Sequence, residues 1–473
     1  HIYAGSSNGL RVSEDGGDTW KLIRGGSCRD MKFNKNGVLI ASIGNTIWRS
    51  SNPNDGSSYQ SITGFTNNGR AAIAWAESDD NYCYIVTVGT VQFDGQTYGG
   101  GSLTGLYRST DAGQTFTQEV GQMSQFFAPF TYIGLQAQGL YDIALGVHPR
   151  NKDRVFIGGI LFAEWSLQDG PKIVGNTFNS PRNPYGIHSD KHLITFDNTG
   201  EDPIMYICSD GGVARTTTPE LDQYKNISTN LSTTQFFGIA ADVRGRILGG
   251  TQDNNTLLIT GESYPRKIAE SVISGDGFEC AISAYNPNYM FGESQYGNLR
   301  RSITAGSSFE SMWDNRISSS FASAQRPTGY FNNPFTLWEN PAVIDSIETF
   351  GRRTSDDSIA NARIFFATND GIWMCKNAYG KPHDPTGPKE GSIRWFRVSN
   401  LRRVHYMKPS NDGESLFVTT NSGRIYRVDN LLTTQFDTIS LPTNNQIAAN
   451  LTTTEISQGM GLSSSRTVTS IAI

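Results

Sequence analysis

Residues 13–20 read SEDGGDTW, and the pattern returns as STDAGQTF at 109–116 and as SITAGSSF at 302–309. Aligned, the first two copies give Ser-x-Asp-x-Gly-x-Thr-aromatic, and the third carries Thr304 where the others carry Asp15 and Asp111. A recurring unit constrains the fold more than any single motif, because each copy must bury its apolar face against its neighbours.

The context of the copies recurs too. An apolar strand with Gly precedes each one, and a second strand ends just before it: GLRVS, GLYRS and NLRRS. The same strand, Gly/Asn/Asp turn and strand occur without the box at 39–50, 205–216, 364–376 and 416–428. This is a hairpin signature. A further strand precedes most hairpins (CRDMKFN, AAIAWAES, YDIALGVHP, HLITFDN, FFGIAADV, CAISAYNP, VHYMKPS), and a fourth often follows (TWKLI, TFTQEV, YKNIS, RWFRVS). Four strands every roughly 45–60 residues predict four-stranded antiparallel blades and an all-β, multi-bladed β-propeller of about 8–10 blades.

Composition agrees. The 473 residues include 50 Gly and 11% aromatics, and charged residues are 18%, below the usual ~25%. A formal charge of −5 gives no electrostatic footprint for nucleic acid. No apolar run approaches the ~18 residues that span a bilayer. Cys28, Cys83, Cys208, Cys280 and Cys375 are scattered, odd in number and without a CxxC, which argues against a zinc site or a disulfide framework. No cofactor is expected.

The whole of 1–473 is expected to be one propeller and a fragment of a longer secreted protein. The first blade then starts at its second strand, HIYAG, and the closing TVTSIAI is an inner strand of a closing or further blade. Segments 91–104, 161–187 and 311–335 exceed what hairpins need. GQTYGGGSLTG (95–105) reads as a flexible loop and not a phosphate cradle, since it lacks a Lys and a following helix. Val343, Ile344 and Ile347 in WENPAVIDSIETF (338–350) fit a short edge strand or turn.

Each residue of the eight-residue box has a structural use. The Asp15 and Asp111 carboxylates can accept from backbone N–H groups across the turn. Gly17 and Gly113 supply positive φ. Ser13 and Ser109 close one strand, and Trp20 and Phe116 open the next.

SEDGGDTW and STDAGQTF resemble Asp-boxes, or BNR repeats. Four further segments, 188–216, 249–256, 275–291 and 293–302, together resemble the sortilin/VPS10-like propellers of secreted Bacteroidota proteins. That resemblance implies export by the type IX secretion system and a place outside the cell or on its surface. Sialidases and xyloglucanase-like propellers are more distant relatives; the Arg-Ile-Pro motif of sialidases is missing.

In a blade with strands A to D, the B–C and D–A connections share one end and the boxes lie at the other. Polar residues cluster in the former: His188, Asp190, His192, Asp210, Gln252, Asp253, Asn254, Asp276, Glu279, Gln295 and Tyr296. Carboxylates, amides and an aromatic suit a carbohydrate, a peptide terminus or Ca²⁺, although Asp and Asn beside Gly also form ordinary turns and can brace adjacent strands. The expected function is a non-catalytic binding or assembly module for a protein or glycan at the cell surface. The alternative is a glycoside hydrolase acting on β-glucan through a pair among Asp210, Asp253, Asp276 and Glu279.

Overall fold

The structure, a computed structural model, describes all residues except 66–68, 132–136, 175–185, 219–222, 229–230, 232, 261–268, 313–329, 341–360, 377, 381–392, 394, 435–446 and 463–466. The described chain forms nine sheets, one of three strands and eight of four, and in each the strand order follows the chain. Neighbouring strands run antiparallel, as in Arg70–Trp75 with Cys83–Phe93. The one helical segment among the described residues is a single turn, Gly56–Ser58. Among the described residues no helix is long and apolar enough to cross a membrane.

The chain divides into two compact units, His1–Thr233 and Thr234–Ile473. The first holds sheets spanning 2–24, 28–62, 70–120, 144–173 and 191–226. Their opening strands, Ile2–Ser6, Cys28–Phe33, Arg70–Trp75, Ala144–Val147 and Lys191–Asp197, pack in succession. The second unit holds sheets spanning 236–273, 277–311, 335–399 and 404–455, and their opening strands also pack in succession. Four-stranded meanders packed in this way are propeller blades, and the fold is an all-β, multi-bladed β-propeller.

The core lies between consecutive sheets. In the first unit Val86, Val88 and Leu106 of the third sheet meet Leu145, Val155 and Ile157 of the fourth. In the second unit Phe291 and Leu299 pack with Ile364, Phe366 and Trp373. Each such side chain contributes about 2 kcal/mol by leaving water. Covered on both faces, inner strands such as Leu39–Ile43, Ala144–Val147 and Met290–Ser294 are buried without alternation. The cysteines are free thiols; Cys28, Cys83 and Cys375 are buried.

Four segments differ from the sequence reading. The expected flexible loop at 95–105 is strand: Cys83–Phe93 and Gln96–Ser109 form one long hairpin. Asp94 and Gly95 both take positive φ in its two-residue turn, and Tyr98 pairs with Val91, both buried. The glycines lower strand propensity, but cross-strand burial overrides them. Phe162–Ser166 and Gly170–Ile173, inside the presumed insert, are the outer strands of the fourth sheet. Phe335–Asn340 is the opening strand of the eighth sheet and takes in the start of WENPAVIDSIETF. Val343, Ile344 and Ile347 lie outside the described residues. Residues 467–473, expected as an inner strand, belong to no sheet.

Candidate functional site

The three boxes connect the last two strands of the first, third and seventh sheets. Asp111 Oδ1 accepts from the backbone N–H of Gln114 (3.0 Å) and Thr115 (2.9 Å), and Oδ2 from the Thr115 hydroxyl (2.6 Å). Asp15 accepts likewise from Thr19 N–H at 2.9 Å, and these bonds hold its carboxyl well below the usual range. Ser13 and Ser109 accept from the N–H of Gly17 and Gly113 at 2.8 and 2.9 Å. In the third copy Thr304 Oγ1 replaces the carboxylate and accepts from Ser308 N–H at 3.1 Å. Phe116 packs on the core beside Phe65, whereas Trp20 stays 41% exposed and donates its indole N–H to Gly17 O. These turns spend their polar groups on their own backbone.

The polar residues at the other ends of the strands form a group in each unit. In the first unit, Asp190 and His192 flank the start of Lys191–Asp197, and Asp210 sits in the turn after Ile204–Ser209. The antiparallel pairing Lys191↔Ser209 brings these together. His192 Nε2 donates to Asp210 Oδ1 at 2.7 Å, and the Tyr141 hydroxyl donates to Oδ2 at 3.1 Å. The Tyr141 and His192 rings meet edge to face, 4.9 Å between centroids. His188 donates from Nδ1 to Ser189 O at 2.9 Å.

Beneath this layer lie groups the sequence reading did not single out. Asp142 is fully buried, and neither of its carboxylate oxygens has a hydrogen-bond partner. Burial, then the Asp190 charge, pushes Asp142 up to about 8. Burial and Asp210 raise Asp190. Lys191 is buried with its ammonium on Ile160 O at 2.9 Å, and burial pushes it down to about 7. The signal was available: one Asp inside the apolar run YDIALGV, and a Lys where the strand begins.

In the second unit the group is a brace between the sixth and seventh sheets. Asp253 and Asn255 take left-handed φ in the turn after Ile247–Thr251. Asp253 N–H donates to Asp276 Oδ1 at 2.8 Å, and Gly275 N–H donates to Asn255 Oδ1 at 3.1 Å. Asp276 N–H in turn donates to Gln295 Oε1 at 3.0 Å. Asn254 Nδ2 donates to Gln252 O at 3.1 Å. Glu279 is half-buried and raised by that burial.

An aromatic row lies beside the brace. Tyr296, Phe331, Phe278 and Phe237 follow one another at centroid distances of 5.7, 5.3 and 5.0 Å. Phe278 is buried, but Tyr296, Phe331 and Phe237 are 41%, 49% and 42% exposed. Tyr296 adopts φ 63°, and its N–H is fixed on Phe331 O at 3.2 Å. Of this row, the sequence reading had singled out Tyr296 alone.

Fold and sites thus define a β-propeller whose box turns are self-contained and whose opposite strand ends are polar and aromatic. Among solved structures the chain is similar to PorZ, a bacterial surface component of the type-IX secretion system of Porphyromonas gingivalis (10% identity, 96% of this chain and 53% of that one, TM-score 0.42). It is also similar to the GH74 enzyme of Niastella koreensis (14% identity, 91% of this chain and 58% of that one, TM-score 0.29). A third is the extracellular domain of the putative hybrid two-component system BT4673 of B. thetaiotaomicron (14%, 90% and 48%, TM-score 0.31). The chain spans about half the length of these proteins. No protein-family model and no curated protein matches it.

Proposed function

We propose that the chain is a non-catalytic β-propeller module of a secreted or cell-surface protein, and that it binds a glycan or protein partner at the blade ends that carry Tyr296. The observation that carries this reading is the aromatic row. Three rings of a continuous row, in edge-to-face and tilted contact, remain two-fifths or more exposed, and the amides of Gln252, Asn254 and Gln295 belong to the brace beside it. Exposed aromatic rings rimmed by a few amides are how sites that take a polyhydroxylated ring gain both area and orientation, so the row favours a glycan.

The acids support a binding role over hydrolysis. Asp210 is engaged by His192 and Tyr141, and Asp276 holds the Asp253 backbone. Glu279 is half-buried within the strand Gly277–Ile282. A glycosidase instead needs an acid and a partner flanking the scissile bond at ~5–9.5 Å.

Two assays on the same polysaccharide panel test this. Binding by calorimetry is expected with at least one glycan class, weakened tenfold or more in Tyr296→Ala and Phe331→Ala with folding kept. Reducing-end release that disappears in Asp276→Asn would establish a glycoside hydrolase in its place. Binding that survives both aromatic substitutions would remove the platform from the argument.

A further inference from the structure

We propose that the glycan taken by the aromatic row is an acidic one, and that Arg402 and Arg403 receive the carboxylates of its uronic-acid rings. The inference rests on the glycan reading above and names the class of glycan.

Four connections at one end of the strands in the second unit are tied together. Tyr296 lies in the turn between Met290–Ser294 and Asn298–Ser302, and its N–H donates to Phe331 O at 3.2 Å. Phe331 lies in the segment before Phe335–Asn340. Tyr330, one residue earlier, accepts at its hydroxyl from the Arg403 N–H at 2.7 Å. Arg403 ends the link between Trp395–Ser399 and Val404–Pro409. Its carbonyl accepts at 2.9 Å from the N–H of Asn421, in the turn after Leu416–Thr420. The Arg403 backbone therefore stands one tyrosine side chain away from the residue next to Phe331.

The charges at this end are unequal. Arg402 and Arg403 are exposed, and among the described residues no ion pair or side-chain hydrogen bond holds either guanidinium. Their neighbours in the eighth and ninth sheets are already engaged. Arg397 donates to Asp370 O, Arg424 donates to Glu455 Oε2 at 3.1 Å, and the Asp370 carboxylate accepts from the Trp373 indole N–H at 3.3 Å. The chain as a whole carries −5, so two adjacent unpaired cations are a local feature.

Arg403 adds a backbone observation. Its φ is 54°, in the left-handed region, where glycine or asparagine sits at less cost. An arginine held there by Tyr330 and Asn421 keeps a cation in place at some loss of stability, as strained residues at binding sites do.

The chemistry fits a uronate. A pyranose lays its apolar face on an exposed ring. A carboxylate on the same sugar is planar and accepts two parallel N–H bonds from a guanidinium fork. A neutral sugar would leave both arginines in water. Asp276 and Glu279 bracket Phe278 in the chain, so an acidic ligand is turned with its charges toward Tyr296 and the arginines.

The test is calorimetry on the full chain with oligomers of galacturonate, mannuronate and hyaluronan. Each is measured beside its carboxyl methyl ester, which keeps the rings and removes the charge. At least one acid is expected to bind about tenfold or more tighter than its own ester. Arg402→Gln and Arg403→Gln together should abolish that preference and leave the ester's affinity unchanged, with folding checked by thermal melts. Arg402→Gln alone, which leaves the left-handed residue untouched, should reduce the preference and serves if the double variant does not fold. Arg244→Gln removes an exposed arginine from the turn between Phe236–Ala241 and Ile247–Thr251, at the other end of the strands, and should keep it. Tyr296→Ala should weaken acid and ester alike. Acid and ester bound equally would overturn the inference and leave the glycan reading standing. A preference that survives the double substitution would overturn the role of the arginines. A sulfated glucan bound through them, with no uronate bound, would overturn the uronate assignment. Absence of binding to any acidic or neutral glycan would overturn this inference and the glycan reading together.

Discussion

Arg108 Nε donates to Glu119 Oε1 across 2.7 Å, joining the last two strands of the third sheet just before Ser109 opens its turn. The seventh sheet repeats the relationship: Arg301, just before Ser302, donates from Nε to Glu310 Oε1 at 3.1 Å. The recurring Arg-Ser in the sequence is therefore a clamp as well as a strand ending. Arg301 goes further, being 1% exposed and donating from one nitrogen to both Ala378 O and Gly380 O at 2.7 Å.

Replacing Arg301 by Lys tests the clamp. A single ammonium cannot serve Glu310 and two carbonyls on opposite sides as a planar fork does. At least one buried acceptor would lose its donor, so Arg301→Lys should destabilise by about 2–4 kcal/mol. Arg427→Lys, at a half-exposed site, should cost less than about 1 kcal/mol. Urea unfolding of both variants measures the difference, and equal costs would refute the clamp.

The box turns carry a second prediction. The residue before the box glycine is left-handed in all three copies: Gly16 at 80°, Ala112 at 58° and Ala305 at 57°. Alanine is strained there and glycine is not, so Ala112→Gly should stabilise by about 0.5–1 kcal/mol. The next residue behaves oppositely. Gly113 has φ 78°, and a Cβ there would lie 2.4 Å from Ile40 Cδ1, so Gly113→Ala should destabilise. Thermal melts that moved the same way for both would contradict the geometry.

Asp111→Ala removes the acceptor for two backbone N–H groups and the Thr115 hydroxyl. The turn is largely solvated, so water replaces part of the loss, and about 1 kcal/mol is expected. Asp111→Asn should recover part of it, since an amide oxygen still accepts. Binding to any glycan or protein partner should be unchanged in both. A loss of binding at unchanged stability would place a ligand at this turn.

The blades were readable because hairpins announce themselves locally. LIASIGNTIWRS and LFVTTNSGRIYRV each contain both strands and the turn that joins them. Phe335–Asn340 was missed because its partner, Asn361–Ala367, lies beyond an intervening segment, so no turn chemistry marks the pair. The 95–105 stretch misled because its glycines look flexible in one dimension and are paired in three. The site residues were visible as polar positions at strand ends, but their pairings were not. That Asp276 serves Asp253 is a relation between sheets, and that Gln295 serves Asp276 is a relation across one sheet's end; spacing along the chain carries no trace of either. Asp142 is the sharpest case, since one carboxylate in an apolar run looks like an ordinary strand residue until its burial is known.

Glu293 gives the last prediction, and it concerns pH. The side chain is fully buried in Met290–Ser294; Oε1 accepts from Asn333 N–H at 2.9 Å, and Oε2 has no partner. Burial pushes its carboxyl well above the ordinary 4.5, against the smaller opposing effect of the Asn333 bond. The folded chain therefore keeps a proton that the unfolded chain has lost. This group's contribution is complete below pH about 4.5 and declines as pH rises toward the folded value, by at most about 1.4 kcal/mol per pH unit. Glu293→Gln keeps an acceptor for Asn333 and cannot ionise. Its stability should match that of the unaltered chain near pH 4 and exceed it at pH 8, with the gap widening between. Denaturant unfolding across that range reads the gap directly. Parallel curves would mean that Glu293 is ionised in the fold, with a counter-charge that its burial does not suggest.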